Sequence, residues 1–404
     1  MNDKLQKRME DAISSIFEWP SKVINLFHHN DTDGLTSGAI LKRSFERKGY
    51  IVRNIALEKP YPALLNKIFE MKNQIIVFAD FAGRIAPIIS QLNNSRNLVV
   101  ILDHHEAEPS LDKNVINCDP ELFGLKGDRD ITASTTCYLF STLMDHKNID
   151  LVQIAAIGAV GDEFFVNGEV YGENLKIVED AVDQGLIKID PGKKEGERYI
   201  FITNRGELTG KWIEDYLDTL GGVGFYQNGP NMGIKVCLDG FSEDSDRMVA
   251  DLKAIKDKRF NHEIKRLKNG EILKTKNIQW FHVEDRFKPM GVKMIGVFCD
   301  AIKKMDFISS DKYIAGFQII PNEVPGFGKI DINQVKISMR VPPPMEEEIR
   351  SSRRMGLNRL LPEATEKLGG FSDACHSLTA ATTIDVGKEK QLIEEMEAIL
   401  QATN

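Results

Sequence analysis

The chain has 404 residues, 42% of them hydrophobic and 28% charged, with a net charge of −8 at pH 7. That length holds two or three domains with full cores, and the composition is that of an ordinary globular protein rather than a fibrous or disordered one. The acidic balance argues against avid, sequence-independent binding to long duplex DNA, and no apolar run reaches the roughly 18 residues of a membrane span. The five cysteines (Cys118, Cys137, Cys237, Cys299, Cys375) form no CxxC pair, which argues against a disulfide framework or a cysteine-bound zinc. With a charged amino end that lacks the apolar core of a signal peptide, this predicts a cytoplasmic location.

Between about residues 20 and 165, short apolar runs alternate with longer amphipathic stretches. Residues 23–27, 51–57, 75–79 and 98–102 read as strands, and 35–48 and 61–72 have the apolar spacing of helices. Residues 133–144 and 151–160 read as two more helices. This alternation predicts an α/β fold, a mainly parallel sheet flanked by helices. Residues 165–240 are less regular and rich in glycine; Gly221-Gly222-Val223-Gly224 lacks the Lys-Ser/Thr ending and preceding strand of a phosphate loop, so it reads as a connection between packed helices. Residues 242–269 read as one long helix, opened by Ser242-Glu243-Asp244 and closed by Asn269-Gly270. Its Lys and Arg side chains between Lys253 and Lys268 read first as a solvated face and second as a face offered to a polyanion. Beyond Gly270, strands are expected at 293–298, 313–320, 335–341 and 382–386, and helices at 345–368 and 388–400. The expected organisation is a domain over 1–240, a linker helix over 241–270 and a smaller α+β domain over 271–404.

Three of the strand-like runs end on chemistry. The first leads through His28-His29 into Asn30-Asp31-Thr32-Asp33-Gly34, the third ends on Asp80, and the fourth ends on Asp103-His104-His105. Open α/β sheets put their ligands outside the carboxyl ends of their strands, so these residues converge on one edge. Each piece alone reads as a capped turn; three successive strand ends with the same donor chemistry read as a metal site. Mixed imidazole and carboxylate donors suit Mn²⁺ or a similar first-row ion, with Mg²⁺ as the alternative. The donor count exceeds the needs of one ion, and a pair of ions sharing a carboxylate suits displacement at phosphorus.

His29-x-Asp31-x-Asp33-Gly34, Asp80, Asp103-His104-His105 and Gly161-Asp162 together resemble, in order, the four motifs of the DHH phosphoesterase superfamily, over about residues 22–165. The resemblance is to the RecJ-like members with a DHH-associated carboxy-terminal domain. It implies that His29 and Asp31 hold the first metal, that Asp80 bridges both, and that Asp33, His104 and Asp162 hold the second. It also implies that His105 faces the scissile phosphate and that Asp103 orients the histidines; His28 has no family role and reads as structural or as a pocket-rim residue. In the second domain, Ala374-Cys375-His376-Ser377-Leu378-Thr379-Ala380-Ala381 resembles the family's Gly-Gly-His-x-x-Ala-Ala-Gly-like substrate loop, with Ala374, Cys375, Thr379 and Ala381 departing from it. Because glycines there let backbone N–H groups approach a phosphate, Gly369-Gly370 is the candidate substitute. Arg340 is the candidate phosphate anchor, and His376 a substrate contact. The function expected is a manganese-dependent exonuclease that hydrolyses single-stranded or short nucleic acids, with a homodimer left open. The alternatives are a phosphodiesterase of dinucleotides or cyclic dinucleotides, and a non-catalytic nucleic-acid-binding scaffold of the same fold.

Overall fold

The structure is a computed structural model that describes residues 2–403, with the side chains of Asp373, Ala374 and Thr403 outside the described set. The chain forms two compact units, Met1–Ala250 with Pro325–Gly328, and Asp251–Val324 with Lys329–Asn404.

The first unit opens with α1 (Asp3–Glu18) and then alternates: β1 (Val23–His29), α2 (Thr32–Arg47), β2 (Ile51–Leu57), α3 (Pro62–Ile68), β3 (Ile75–Ala79), α4 (Ala86–Asn93), β4 (Leu98–Leu102) and β5 (Val115–Asn117). The five strands pair in parallel in the order β2-β1-β3-β4-β5. β3 and β4 are buried at every position, which is why they read as unbroken apolar runs: helices cover both faces of the sheet. Each Ile, Val, Leu or Phe buried this way contributes about 1.5–3 kcal/mol. In this strand order the connections diverge between β1 and β3, the switch point where doubly wound sheets bind their ligands.

The helices α5 (Ala133–Met144), α6 (Val152–Gly161) and α7 (Gly172–Asp183) follow. A small antiparallel sheet comes next, β6 (Ile187–Ile189), β7 (Tyr199–Thr203) and β8 (Gly206–Thr209), and then α8 (Gly210–Asp218) and α9 (Gly229–Asp239). The stretch that looked irregular in sequence is therefore mostly ordered. Its glycine-rich turn is a packing element: the Gly221 carbonyl accepts from Asn30 Nδ2 at 3.0 Å, and a Cβ on Gly221 would overlap the Asn30 backbone.

The long helix α10 (Glu243–Arg266) starts where expected, the Ser242 hydroxyl accepting from the Ser245 N–H. The second unit then adds β9 (Leu273–Lys274), β10 (Ile278–His282), α11 (Met294–Ile302), β11 (Tyr313–Ile319), a short ribbon of β12 (Glu323–Val324) and β13 (Gly328–Lys329), and β14 (Gln334–Arg340). It ends with α12 (Pro343–Arg350), α13 (Leu357–Lys367), β15 (Phe371–Cys375), β16 (Thr379–Asp385) and α14 (Glu389–Thr403). Its six-stranded sheet, ordered β15-β16-β14-β11-β10-β9, is mixed: β10 and β11 are parallel, the other neighbours antiparallel. Two expectations fail here. Residues 293–298 lie in and just before helix α11, because a short apolar run does not distinguish a buried helix from a strand. The single helix expected over 345–368 is two, broken where Ser352 takes φ of 59° and Gly356 precedes α13.

Candidate metal centre

At the end of β1, Asp31 caps α2 through Oδ1, which accepts from the Gly34 N–H at 3.1 Å, while Oδ2 lies 2.7 Å from His29 Nδ1. Gly34 is required there: a Cβ would stand 2.6 Å from His29 Cβ. One carboxylate thus ends the strand, starts the helix and meets the imidazole. Asp33, in the first turn of the same helix, accepts from the Ala133 and Ser134 N–H groups at 2.8 and 2.9 Å. The positive end of α5 therefore holds its charge.

Asp80 follows β3 with φ of 65°, a left-handed backbone that costs a non-glycine residue about 1–3 kcal/mol and is concentrated at functional sites. Its two oxygens face two ways: Oδ2 is 3.5 Å from His29 Nδ1, and Oδ1 is 3.4 Å from His104 Nε2. His104 Nε2 also lies 3.5 Å from Asp162 Oδ2, just past the end of α6, and 3.8 Å from Asp33 Oδ2. The His104 Nδ1–H donates to the Gly127 carbonyl at 3.0 Å, which orients the ring and aims Nε2 at the carboxylates. Asp103 stands behind: Oδ2 accepts from the Gly83 N–H at 2.8 Å, and Oδ1 from the His104 N–H and from His105 Nδ1 at 2.8 and 2.7 Å. His105, with 44% of its side chain exposed, faces outward.

The electrostatics of the cluster are those of a cation site. Four carboxylates, those of Asp31, Asp33, Asp80 and Asp162, gather around the two imidazoles of His29 and His104. Burial and the neighbouring carboxylates push Asp33 well above the usual carboxylate range, and burial with Asp80 and Asp31 lifts Asp162 to about 6. Burial opposes protonation of His29, but Asp31 and Asp80 outweigh it and raise the imidazole to about 10; the carboxylates raise His104 in the same sense. His104 Nε2 and Asp162 Oδ2 are buried without a hydrogen-bond partner, a costly state that demands an explanation. Two donor sets each lie within 4.8 Å: His29, Asp31 and Asp80, and Asp33, His104 and Asp162; a third joins Asp80, Asp103, His104 and His105. These residues fit a divalent cation.

His28 points away from this cluster. It is fully buried, bonded to the His29 carbonyl and Asn54, and burial lowers its imidazole to about 4; its role is structural. Gly127 and the amino end of α5 were not foreseen as parts of the centre. A glycine in a polar loop carries no sign of which carbonyl reaches a histidine.

The other expected substrate contacts lie in the second unit. Arg340, at the end of β14, donates through Nε to Asp300 at 2.6 Å and through Nη1 to Ser338. His376 is exposed in the turn between β15 and β16, its N–H donating to Thr379 O; the Ala374 side chain beside it is outside the described residues. Gly369 and Gly370 correct the expectation for them. Their N–H groups donate to Glu366 and Thr365 carbonyls and close α13 in a Schellman cap, with φ of 68° at Gly369. Donors spent on helix carbonyls are not offered to a phosphate.

Comparison with known proteins agrees with this architecture. The family model described as "DHH family, N-terminal domain" matches residues 23–161. An uncharacterized protein of Methanocaldococcus jannaschii is 30% identical over 194 residues, 46% of this chain and 42% of that protein, so the match spans less than half of that relative. Among solved structures, the DHH domain of a member of the s1p family of ribosomal proteins superposes with a TM-score of 0.61 at 16% identity, covering 99% of this chain and 92% of the other. RecJ of Thermus thermophilus, solved in complex with Mn²⁺, also gives 0.61, at 13% identity over 99% of this chain and 55% of that one. Residues 23–161 are thus similar to the N-terminal domain of the DHH family, and the chain has the fold of the solved RecJ structures.

Proposed function

We propose that this chain is a metal-dependent phosphoesterase that hydrolyses single-stranded or short nucleic acids from an end, with Mn²⁺ as its metal and Mg²⁺ as the alternative. The observation that carries the reading is the pair of donor triads at the β1/β3 switch point, with Asp80 turned to both. His29, Asp31 and Asp80 would hold one ion, and Asp33, His104 and Asp162 the other. Ions held there supply a water acidified toward neutral pH and charge neutralisation for phosphate oxygens.

The chain's own residues do the rest. Asp103 takes the Nδ1 proton of His105 in a hydrogen bond and, against burial, raises that imidazole to about 9. With Nδ1 committed to Asp103, Nε2 of His105 is left to face a phosphate oxygen as charge develops. Gly83 N–H fixes the other Asp103 oxygen, so the histidine is held rather than mobile. In the second unit, Arg340 and His376 are proposed as phosphate-binding groups.

The test is an end-labelled single-stranded oligonucleotide incubated with the protein and Mn²⁺, products resolved by length. Progressive shortening that Asp80→Asn abolishes supports the reading. An intact strand with hydrolysis of dinucleotides moves the substrate to small phosphate esters, a choice the net charge of −8 favours. Bound Mn²⁺ with neither activity supports a binding scaffold and refutes the enzyme.

A further inference from the structure

Two segments that carry three of the six donors, Asn30–Asp33 after β1 and Asp162 after α6, belong to different parts of the chain, yet one short segment touches both. A single oxygen of Asp218, the last residue of α8, accepts from the Thr32 N–H and from the Thr32 hydroxyl, each at 2.9 Å. Thr32 stands between Asp31 and Asp33. Seven residues earlier on the same helix, the Lys211 ammonium donates at 2.9 Å to Glu163, the neighbour of Asp162, and at 2.8 Å to Glu214. Glu163 takes φ of 60°, so this contact restrains a turn that would otherwise relax. The Gly221 carbonyl, just beyond the helix, accepts from Asn30. Gly161 packs on Thr32, leaving no room for a Cβ between them.

We propose that α8 and the turn after it are a clasp that sets the distance between the two donor loops, with Asp218 and Lys211 as positioning residues for the Asp33–His104–Asp162 ion. This rests on the metal reading above. The clasp lies outside residues 23–161, so the family's N-terminal domain alone does not contain it. Partners that orient metal donors are typically worth about 10–100-fold in metal affinity or activity.

The experiment is Mn²⁺ titration of the full chain by calorimetry for wild type, Lys211→Met, Lys211→Arg and Asp218→Ala, with the melting temperature of each metal-free protein measured alongside. Lys211 is 38% exposed, so its truncation tests the clasp even if Asp218→Ala does not fold. The expected result is a weakening of about 10–100-fold for one of two ions in Lys211→Met, rescued by Lys211→Arg, with metal-free melting close to wild type. Wild-type affinity in Lys211→Met overturns the clasp and leaves the metal reading standing. A wild type that binds no Mn²⁺ overturns both.

Discussion

Gly127→Ala is the substitution that most sharply separates the orientation of His104 from the mere presence of its side chain. A Cβ on Gly127 would land on the His104 carbonyl oxygen, 2.6 Å from the carbonyl carbon and 3.2 Å from Nδ1. The oxygen is 1.5 Å from that Cβ and ordinary contacts lie beyond 3.4 Å, so the two segments must part by about 1.9 Å along that direction. The 3.0 Å bond from His104 Nδ1 to the Gly127 carbonyl then stretches past the ~3.6 Å at which it ceases to be a hydrogen bond. The imidazole loses the partner that aims Nε2, at a cost of about 10–100-fold in metal affinity, or about 1.4–2.7 kcal/mol. Overpacking adds a stability loss of about 1–3 kcal/mol. Gly124→Ala is the control: Gly124 has φ of 87° and nothing within 4 Å of a Cβ, so it costs about 1–2 kcal/mol of backbone strain without touching His104. Calorimetric titration with Mn²⁺ should show weakened binding in Gly127→Ala and wild-type binding in Gly124→Ala. Equal Mn²⁺ affinity in the two would refute the reasoning.

Three further outcomes are expected. Mn²⁺ at about 100 times its dissociation constant should stabilise the folded protein by about 2.7 kcal/mol, a rise of roughly 5–11 °C in melting temperature for a unit of this size; Asp162→Asn, which strips a donor, should lose most of that rise in differential scanning fluorimetry. Arg340→Ala should raise KM by roughly 10–100-fold, the loss of charge-assisted bonds to phosphate, with Mn²⁺ binding unaltered; an unchanged KM in steady-state kinetics removes Arg340 from the substrate site. Glu397 accepts from Thr275 Oγ1, Asn277 N–H and Asn277 Nδ2, and although burial opposes ionisation these donors hold its carboxyl below the usual range. A depressed folded-state value gives stability that is present above the unfolded value of ~4.3 and lost as pH falls through the folded one. Glu397→Gln should therefore be less stable than wild type by about 1.5–3 kcal/mol at pH 7, with the gap closing in acid; denaturant curves showing the same gap at pH 3 would contradict this.

The candidate centre is legible because its residues sit where two strong signals meet. β3 and β4 are unbroken apolar runs, β1 is apolar up to Phe27 apart from Asn25, and the residues that follow each are acids and imidazoles. Asp162 was legible only through the family motif, since an acid after an apolar helix says nothing about where that helix points. What the sequence hid is what tertiary packing decides. Gly127 and Asp218 act through contacts with residues 23 and 186 positions away, and no local pattern encodes such pairs. Ile278–His282 does not read as a strand in sequence because Gln279 and His282 dilute its apolar character, and α11 reads as one because its short apolar run shows no polar face. Gly369-Gly370 illustrates the opposite error: a glycine pair after a helix is first a cap, and only then a phosphate loop.

The central claim is a pair of metal ions sharing Asp80. Anomalous X-ray scattering from crystals grown with Mn²⁺ tests it most directly. Two peaks about 3.5–4 Å apart, one at His29, Asp31 and Asp80 and the other at Asp33, Asp80, His104 and Asp162, are the predicted result; a cluster with no peak, or a single ion bound elsewhere on the chain, would contradict it.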